Sequence, residues 1–311
     1  MNNIICIAGP TASGKTALAV ELAKQLDGEV VSCDSMQVYK HMDIGTAKPS
    51  FEEMQGIPHH MLSVAEPWED FSVSRYCEMA SAIIDDIISR GKTAIIAGGT
   101  GLYMDALIKG NSFAPYPSTG RREELEALAE NEGIEAVLSQ LRSVDPESAD
   151  RLHPSDQKRI IRAMEVYLET GTTITEHNRK TQQIPPRYTP VWFALEDADR
   201  QTLYNRIDVR VDQMINAGLL DEIRDLLNRG VPNNATALQA IGYKEFVNVL
   251  QDNDNLENAI ALVKQSSRQY AKRQLTWFRR NKSIHWLVRN PGETTQEIVC
   301  RARQILRDCD N

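Results

Sequence analysis

Short apolar runs alternate with amphipathic stretches over the first hundred residues of the chain. Residues 4–8, 29–33 and 93–97 are runs of mostly apolar residues, each followed at once by small or polar residues. Apolar runs of this length are typical of strands that are buried on both faces. Between them, residues 14–26 and 71–90 have the spacing of amphipathic helices. The pattern therefore predicts an α/β fold, in which a parallel sheet is flanked by helices.

The middle of the chain has a different composition. Residues 111–120 contain two prolines, two serines and a glycine, and the following stretch is rich in glutamate and arginine without any strand-like run. A second break, with two adjacent prolines, ends that stretch. We therefore expect an all-helical insertion domain at 113–189, which divides the core domain into residues 1–112 and 190–311.

The last third of the chain returns twice to strand character, at 191–195 and 284–288. The remainder has helical spacing, so we expect the core domain to have a helical C-terminal part. The predicted helices cover residues 200–217, 219–229, 237–250 and 256–281, and a final amphipathic helix follows the last strand.

Charge and composition narrow the class of protein. The chain has 35 basic and 43 acidic residues, giving a net charge of −8, so any surface that binds nucleic acid must be a local patch. The N-terminus does not resemble a signal peptide, and no apolar run approaches the ~18 residues that a membrane span requires. Five scattered cysteines without a C-x-x-C pair are typical of free thiols. We expect a cytoplasmic protein without membrane contact.

The strongest chemical signal is the segment GPTASGKT. It matches G-x-x-x-x-G-K-[ST], the P-loop motif, and lies between a predicted strand and a predicted helix. Backbone N–H groups of such a loop and the N-terminus of the helix bind phosphate. Lys15 adds a full positive charge, and the Thr16 hydroxyl is placed to bind Mg²⁺, the cofactor we expect. The predicted diphosphate- or nucleotide-binding residues are Gly9, Pro10, Thr11, Ala12, Ser13, Gly14, Lys15 and Thr16.

The P-loop does not by itself identify the reaction. P-loop NTPases usually carry an aspartate at the end of a neighbouring strand to bind Mg²⁺, but the strand 93–97 is followed by Gly-Gly-Thr. The strand 29–33 does end at an acid, Asp34, which fits both a turn cap and a catalytic carboxylate. Thr100, which follows the strand 93–97, is likewise consistent with a helix N-cap or with a residue of the active site. A kinase of a small metabolite therefore stays possible from the residues alone.

Eight segments occur in an order that resembles the bacterial tRNA dimethylallyltransferases, also called tRNA isopentenyltransferases. They are GPTASGKT (9–16), DSMQVY (34–39), IGTAKP (44–49), GGTGLY (98–103), KRIIRAMEV (158–166), RVDQMINAGLLDE (210–222), AIGYKEF (240–246) and KRQLTWFR (272–279). The resemblance implies transfer of a dimethylallyl group from dimethylallyl diphosphate to N6 of an adenosine, with release of diphosphate. The acceptor would be position 37, beside the anticodon, of tRNAs that read codons beginning with U.

The resemblance also implies roles for individual residues. Asp34 would be the general base, and it would form the catalytic set with Thr100 and Arg210. Arg206 lies four residues before Arg210 on the same helical face, so both remain candidates for the arginine that contacts the diphosphate. A surface ion pair is the alternative for this arginine. The residues implied to contact tRNA are Asp34, Ser35, Met36, Gln37, Thr100, Arg122, Lys158, Arg159, Ile160, Ile161, Arg162, Lys272 and Arg273.

A basic stretch supports an RNA partner. Seven basic and no acidic residues occur from Lys264 to Lys282, and Lys264, Arg268 and Lys272 share one helical face. Such a patch can neutralise phosphates of a tRNA anticodon stem-loop, although a solvated helix face is the ordinary alternative. An adenylate isopentenyltransferase acting on free AMP, ADP or ATP would need neither this helix nor the insertion. We expect a monomer.

Overall fold

The computed structural model of the chain describes residues 4–110, 119–252 and 255–310. The predicted linker at 111–120 therefore lies outside the described residues, except for its last two positions. Two compact units are present. Residues up to Gly110 and from Arg187 onwards form the first unit, and residues 119–186 form the second.

The first unit is built on a six-stranded parallel sheet. Its strands are β1 (Ile4–Ala8), β2 (Gly28–Cys33), β3 (His59–His60), β4 (Thr93–Gly98), β5 (Val191–Asp197) and β6 (Ile284–Arg289). They lie in the order β3-β2-β4-β1-β5-β6, and every neighbouring pair is parallel. The predicted α/β fold is confirmed. The edge strand β3 was not predicted, because two histidines carry no apolar pattern.

Helices account for most of the remaining described residues. In chain order they are α1 (Lys15–Gln25), α2 (Phe51–Met54), α3 (Val73–Ser89), α4 (Gly101–Lys109), α5 (Arg121–Glu132), α6 (Ile134–Val144), α7 (Pro146–Arg151), α8 (Gln157–Thr170), α9 (Ile174–Gln182), α10 (Arg200–Asn216), α11 (Leu219–Asn228), α12 (Lys244–Asp252), α13 (Leu256–Phe278) and α14 (Thr295–Asp310). Within the described ranges, none of these helices has the length and apolar character of a membrane span.

Two hydrophobic clusters cover the two faces of the sheet. Ile5 and Ile7 of β1 point to one face, where they pack with α1 and α14. Cys6 and Ala8 point to the opposite face, where the larger cluster includes α3, α4 and residues of α11, α12 and α13. Because both faces are covered, β1 is buried along its whole length, which explains its unbroken apolar sequence.

Two predicted helices end differently in the structure. The helix predicted at 237–250 is divided into a short 3₁₀ turn, Ala237–Gln239, and α12. Gly242 lies between them with φ of 90°, a left-handed conformation that interrupts a helix and that glycine adopts without strain. The helix predicted to reach residue 281 is α13, which ends at Phe278 and is followed by a turn.

The second unit consists of helices α5–α9 around a hydrophobic core of its own, and its described residues contain no strand. One buried carboxylate, Asp145, joins two of its helices. It accepts hydrogen bonds from Ser148 N at the start of α7 (3.1 Å), and from the backbone N and hydroxyl of Thr175 in α9 (3.2 and 2.7 Å). Both oxygens of the Asp145 carboxylate are therefore used internally.

Candidate active site

The P-loop connects β1 directly to α1, as its sequence predicts. Gly9 has φ of 146°, and a Cβ atom there would lie 3.0 Å from both the Leu195 carbonyl oxygen and the Ser13 hydroxyl. The backbone conformation and the close approach of β5 thus both require glycine at this position. Gly14, with φ of 90°, ends the loop at the N-terminus of α1.

Internal hydrogen bonds hold the loop in this shape. Lys15 Nζ donates to the Pro10 carbonyl oxygen at 2.6 Å, and the backbone N of Ser13 donates to the same oxygen at 3.3 Å. Thr11 N donates to Oε1 of Gln274, on α13, at 2.9 Å. The Ser13 hydroxyl is buried and has no hydrogen-bond partner among the described residues. A bound anion would give this hydroxyl an acceptor.

A cavity of about 1670 Å³ opens at the carboxyl ends of the central strands, where ligands bind in open α/β sheets. Its polar lining includes P-loop residues 11–16, Asp34, Gln37, Arg206, Arg210 and Tyr270. Its apolar lining includes Ile44, Met54, Ile57, Leu62 and Met214. Gly9 and Pro10 are buried and are not among its lining residues. The cavity thus combines a phosphate-binding loop, a carboxylate and room for an apolar group.

Two cations, Lys15 and Arg210, line the same cavity as the Asp34 carboxylate. Burial lowers the pKa of Lys15 from 10.5 to about 7; the charge of Arg210 lowers it further, and that of Asp34 opposes the shift. Burial also lowers the pKa of Arg210, against the charges of Asp34 and Glu53. Two partly desolvated cations close to each other are unfavourable without an anion, so this part of the cavity is suited to a diphosphate.

Asp34 has one oxygen engaged and one free. Its Oδ1 accepts hydrogen bonds from the backbone N of Met36 (2.9 Å) and Gln37 (3.4 Å), so the turn-cap interpretation holds for that oxygen. Oδ2 makes no hydrogen bond within the part of the chain that the structure describes. The cap therefore orients the carboxylate and leaves the second oxygen for another ligand.

Thr100 lies beside Asp34 and precedes α4. Its hydroxyl does not cap this helix; instead it accepts a hydrogen bond from Ser35 N at 3.0 Å and lies 3.4 Å from the Ser35 hydroxyl. Burial raises the pKa of Tyr270 to about 12, with the charge of Asp34 acting in the same direction and the hydrogen bond with Thr100 opposing it. Asp34, Ser35, Thr100 and Tyr270 thus form one cluster.

The candidate Gln37 supports the wall of the cavity with its side chain. Its Oε1 accepts from the Ser32 hydroxyl at 2.8 Å, and its Nε2 donates to the carbonyl oxygens of Thr46 (3.2 Å) and Ala47 (3.1 Å). Both ends of the amide are therefore used inside the protein.

A second support of this wall comes from the far end of the sequence. The Glu222 carboxylate accepts hydrogen bonds from Tyr243 Oη at 2.6 Å and from three consecutive backbone N–H groups, those of Asp43 (2.7 Å), Ile44 (2.7 Å) and Gly45 (3.1 Å). A Cβ on Gly45 would lie 2.4 Å from the Tyr243 ring. Glu222, Tyr243 and Gln274 were missed by sequence reasoning, although each lies in a segment that carries the family resemblance.

The two candidate arginines have different surroundings. Arg206 forms an ion pair with Asp197, at the end of β5. Arg210 lines the cavity and forms no ion pair with any described residue, so the surface-pair alternative does not apply to it. Arg210 is therefore the better placed of the two to bind a diphosphate.

The basic face of α13 is smaller than its sequence suggested. Lys264 pairs with Asp212 at 2.7 Å and Arg268 pairs with Asp208, both on α10, so these two cations are already neutralised. Lys272 and Arg273 remain exposed. The first two members of the predicted stripe are thus paired with acidic residues of a distant segment, and Lys272 is the member without such a pair among the described residues.

In the second unit, the candidate tRNA contacts separate into surface and core. Lys158 and Arg159 are exposed at the start of α8. Arg122 and Arg162 pair with Glu165 at 3.0 and 2.7 Å. The remaining two candidates belong to the hydrophobic core of this unit, with exposures of 0% for Ile160 and 7% for Ile161. Their side chains therefore cannot contact an RNA in this conformation and instead hold α8 in place.

Comparisons with known proteins identify relatives over most of the chain. Residues 37–281 match the family model described as IPP transferase. The tRNA dimethylallyltransferase of Thermoanaerobacter sp. (strain X514) is 46% identical over 297 residues, which cover 95% of this chain and 94% of that protein.

Solved structures are similar over the same extent. The full-length tRNA isopentenylpyrophosphate transferase from Bacillus halodurans has a TM-score of 0.74 and 40% identity, covering 98% of this chain and 96% of that one. A eukaryotic dimethylallyltransferase, described as acting on tRNA, has a TM-score of 0.82 and 30% identity, covering 99% of this chain and 80% of that one. With both the family model and close relatives matching most of its length, this chain belongs to the IPP transferase family.

Proposed function

We propose that this chain transfers a dimethylallyl group from dimethylallyl diphosphate to N6 of an adenosine in tRNA and releases diphosphate. The finer proposal is that the acceptor is position 37, next to the anticodon, in tRNAs that read codons beginning with U. The observation that carries the proposal is the juxtaposition in one cavity of the P-loop, Arg210 and the free oxygen of Asp34. The names of the relatives support the choice of donor and acceptor.

The P-loop side of the cavity would stabilise the leaving group. As the C1–O bond of the allylic donor breaks, both electrons of that bond go to the diphosphate oxygen. Lys15, Arg210 and the partner-free Ser13 hydroxyl lie in or beside the P-loop, where this negative charge would accumulate. Preorganised donors of this kind act most strongly where charge grows in the transition state.

Asp34 would act on the other reactant. The N6 amine of adenine is a weak nucleophile, because its lone pair is delocalised into the ring. A carboxylate oxygen that accepts an N6 hydrogen bond orients the lone pair towards C1 and takes up the proton as the C–N bond forms. Oδ2 of Asp34 is the free oxygen that would do this, while Oδ1 is held by the turn.

Mg²⁺ is proposed as the cofactor. The described residues contain no cluster of three or more His, Cys, Asp or Glu side chains, so an ion would take most of its ligands from diphosphate oxygens and water. Mg²⁺ commonly binds in this way, with one or two protein ligands. The Thr16 hydroxyl lines the cavity and would be one of these ligands. When bound, the ion would neutralise part of the charge of the diphosphate.

The exposed basic residues supply the proposed tRNA contacts. Lys272 and Arg273 lie on α13 of the first unit, and Lys158 and Arg159 lie on α8 of the second. We propose that these residues bind phosphates of the anticodon stem-loop, and that the protein acts as a monomer in the cytoplasm.

A transfer assay tests the proposal. Purified protein with Mg²⁺ and radiolabelled dimethylallyl diphosphate is incubated with unmodified tRNA, and in parallel with AMP. We expect label on tRNA alone, and an Asp34→Asn variant should transfer it about 10²–10⁴-fold more slowly, the usual effect of losing a general base. Its affinity for the donor should be retained.

Three results would contradict the proposal. Label on AMP alone would identify an enzyme that acts on free nucleotides. Label on neither acceptor, together with donor-independent use of ATP, would identify a kinase. Full activity of the Asp34→Asn variant would remove the general base from the mechanism.

A further inference from the structure

Helix α13 has two faces with different surroundings. Tyr270, Gln274 and Trp277 follow each other at helical spacing and face the protein interior. Lys272 and Arg273, in the same two turns, are exposed. The helix proposed to bind tRNA therefore also contributes side chains to the inner wall of the cavity.

Gln274 is the polar residue at the centre of the inner face. Only 5% of its surface is exposed, and both ends of its amide are bonded. Its Oε1 accepts from Thr11 N, the first P-loop amide after Pro10, at 2.9 Å, and its Nε2 donates to the Gly99 carbonyl oxygen at 2.9 Å. The side chain thus bridges the P-loop and the segment that leads into Thr100.

The space around this bridge is closely fitted. A Cβ on Gly99 would lie 2.1 Å from Gln274 Nε2, and a Cβ on Gly101 would lie 2.3 Å from the Trp277 ring. Trp277 Nε1 also donates to Asp105 Oδ2 at 2.9 Å, which fixes α13 against α4 one turn further on. Gln274 is therefore held in a single position from which it can fix its two partners.

We propose that Gln274 is a positioning residue for the donor diphosphate. Thr11 N is already bonded to Gln274, so this amide does not bind the diphosphate; it anchors the start of the loop instead. The anchored loop then directs its remaining N–H groups and the Lys15 side chain at the anion. This inference rests on the proposed function, since it assumes that the P-loop binds a diphosphate.

The test compares three variants with the unmodified protein. Gln274→Leu removes both hydrogen bonds at similar volume, and Gly99→Ala displaces the glutamine without altering it. Gln265→Leu, at an exposed position of the same helix, is the matched control. Affinity for inorganic diphosphate is measured by calorimetry without tRNA, affinity for tRNA by filter binding, and thermal stability by calorimetric melting.

We expect the Kd for inorganic diphosphate to rise about tenfold in Gln274→Leu and in Gly99→Ala, an effect the size of one lost hydrogen bond. The double variant should bind diphosphate no more weakly than whichever single variant binds it less tightly, because both changes break the same bridge. The Kd for tRNA should stay within about twofold, and Gln265→Leu should behave as the unmodified protein.

Other results would overturn the inference. Unchanged diphosphate affinity in either variant would show that the bridge does not position the loop. A parallel loss of diphosphate affinity, tRNA affinity and melting temperature would identify Gln274 as a general packing residue. Failure of the unmodified protein to bind diphosphate or to label tRNA would instead refute the proposed function, so the two failures are distinguishable.

Discussion

Donor binding should depend on the protonation of Lys15, whose pKa is lowered by burial to about 7. A diphosphate beside Nζ favours the charged form and should return this pKa towards its ordinary value of 10.5. Above pH 7, donor binding is therefore accompanied by uptake of a proton by Lys15. Because the charged form of Lys15 binds, affinity for the donor should decrease as the pH rises above 7.

The size of the effect follows from the lowered pKa. Lys15 would be half charged at pH 7 and about 1% charged at pH 9, so the Kd for dimethylallyl diphosphate should rise about 50-fold between these values. The diphosphate hardly titrates over this interval, since its last pKa lies near 6. At pH 8, about 0.9 protons should be taken up for each donor bound.

Calorimetry without tRNA measures both quantities, because titrations in Hepes and Tris buffers separate the heat of proton uptake from the heat of binding. Lys15→Met is the control; it should bind more weakly, with little dependence on pH over the same interval. A Kd that is constant from pH 7 to 9 in the unmodified protein would refute this reasoning. An equal slope in the Lys15→Met variant would assign the proton to another group.

Two further substitutions test which arginine binds the diphosphate. Arg210→Ala should raise the KM for the donor about 10- to 100-fold, since a hydrogen bond from a charged group is worth about 1.5–3 kcal/mol. Arg206→Ala should mainly lower the melting temperature, because it leaves the Asp197 carboxylate without its ion pair. Equal KM effects in steady-state assays would contradict this division. Replacing Lys272 and Arg273 by alanine should reduce the slope of log K for tRNA against log salt by about 1.4–1.8 without changing donor affinity; an unchanged slope would exclude this surface.

The sheet was predictable because its signals are local. The buried residues of β1 and β4 form unbroken apolar runs, and Gly9 after β1 and Gly98 at the end of β4 mark where each run stops. The P-loop was predictable for the same reason, as its loop geometry depends on residues next to one another. The edge strand β3 and the break at Gly242 lack such a signal, because tertiary contacts rather than local pattern produce them.

The site itself depends on contacts between distant residues, which no local pattern records. The pairing of Lys264 and Arg268 with aspartates of α10 could not be read from a stretch that contains no acid. Gln274 and Glu222 act on loops 263 and 177–179 residues away. The resemblance marked the segments in which they lie, but a lone glutamine or glutamate has no spacing that reveals its partner.

The chain leaves the first unit after Gly110 and re-enters it at Arg187, and these two points of the first unit are neighbours. Tyr188 N donates to the Ile108 carbonyl oxygen at 3.2 Å, and the Arg187 side chain lies against Gly110. Since a hydrogen bond already joins these two points, a longer or shorter chain between them should change the closure entropy only slowly. The helical unit could therefore be lengthened, shortened or exchanged during evolution while the sheet and the P-loop stay unchanged.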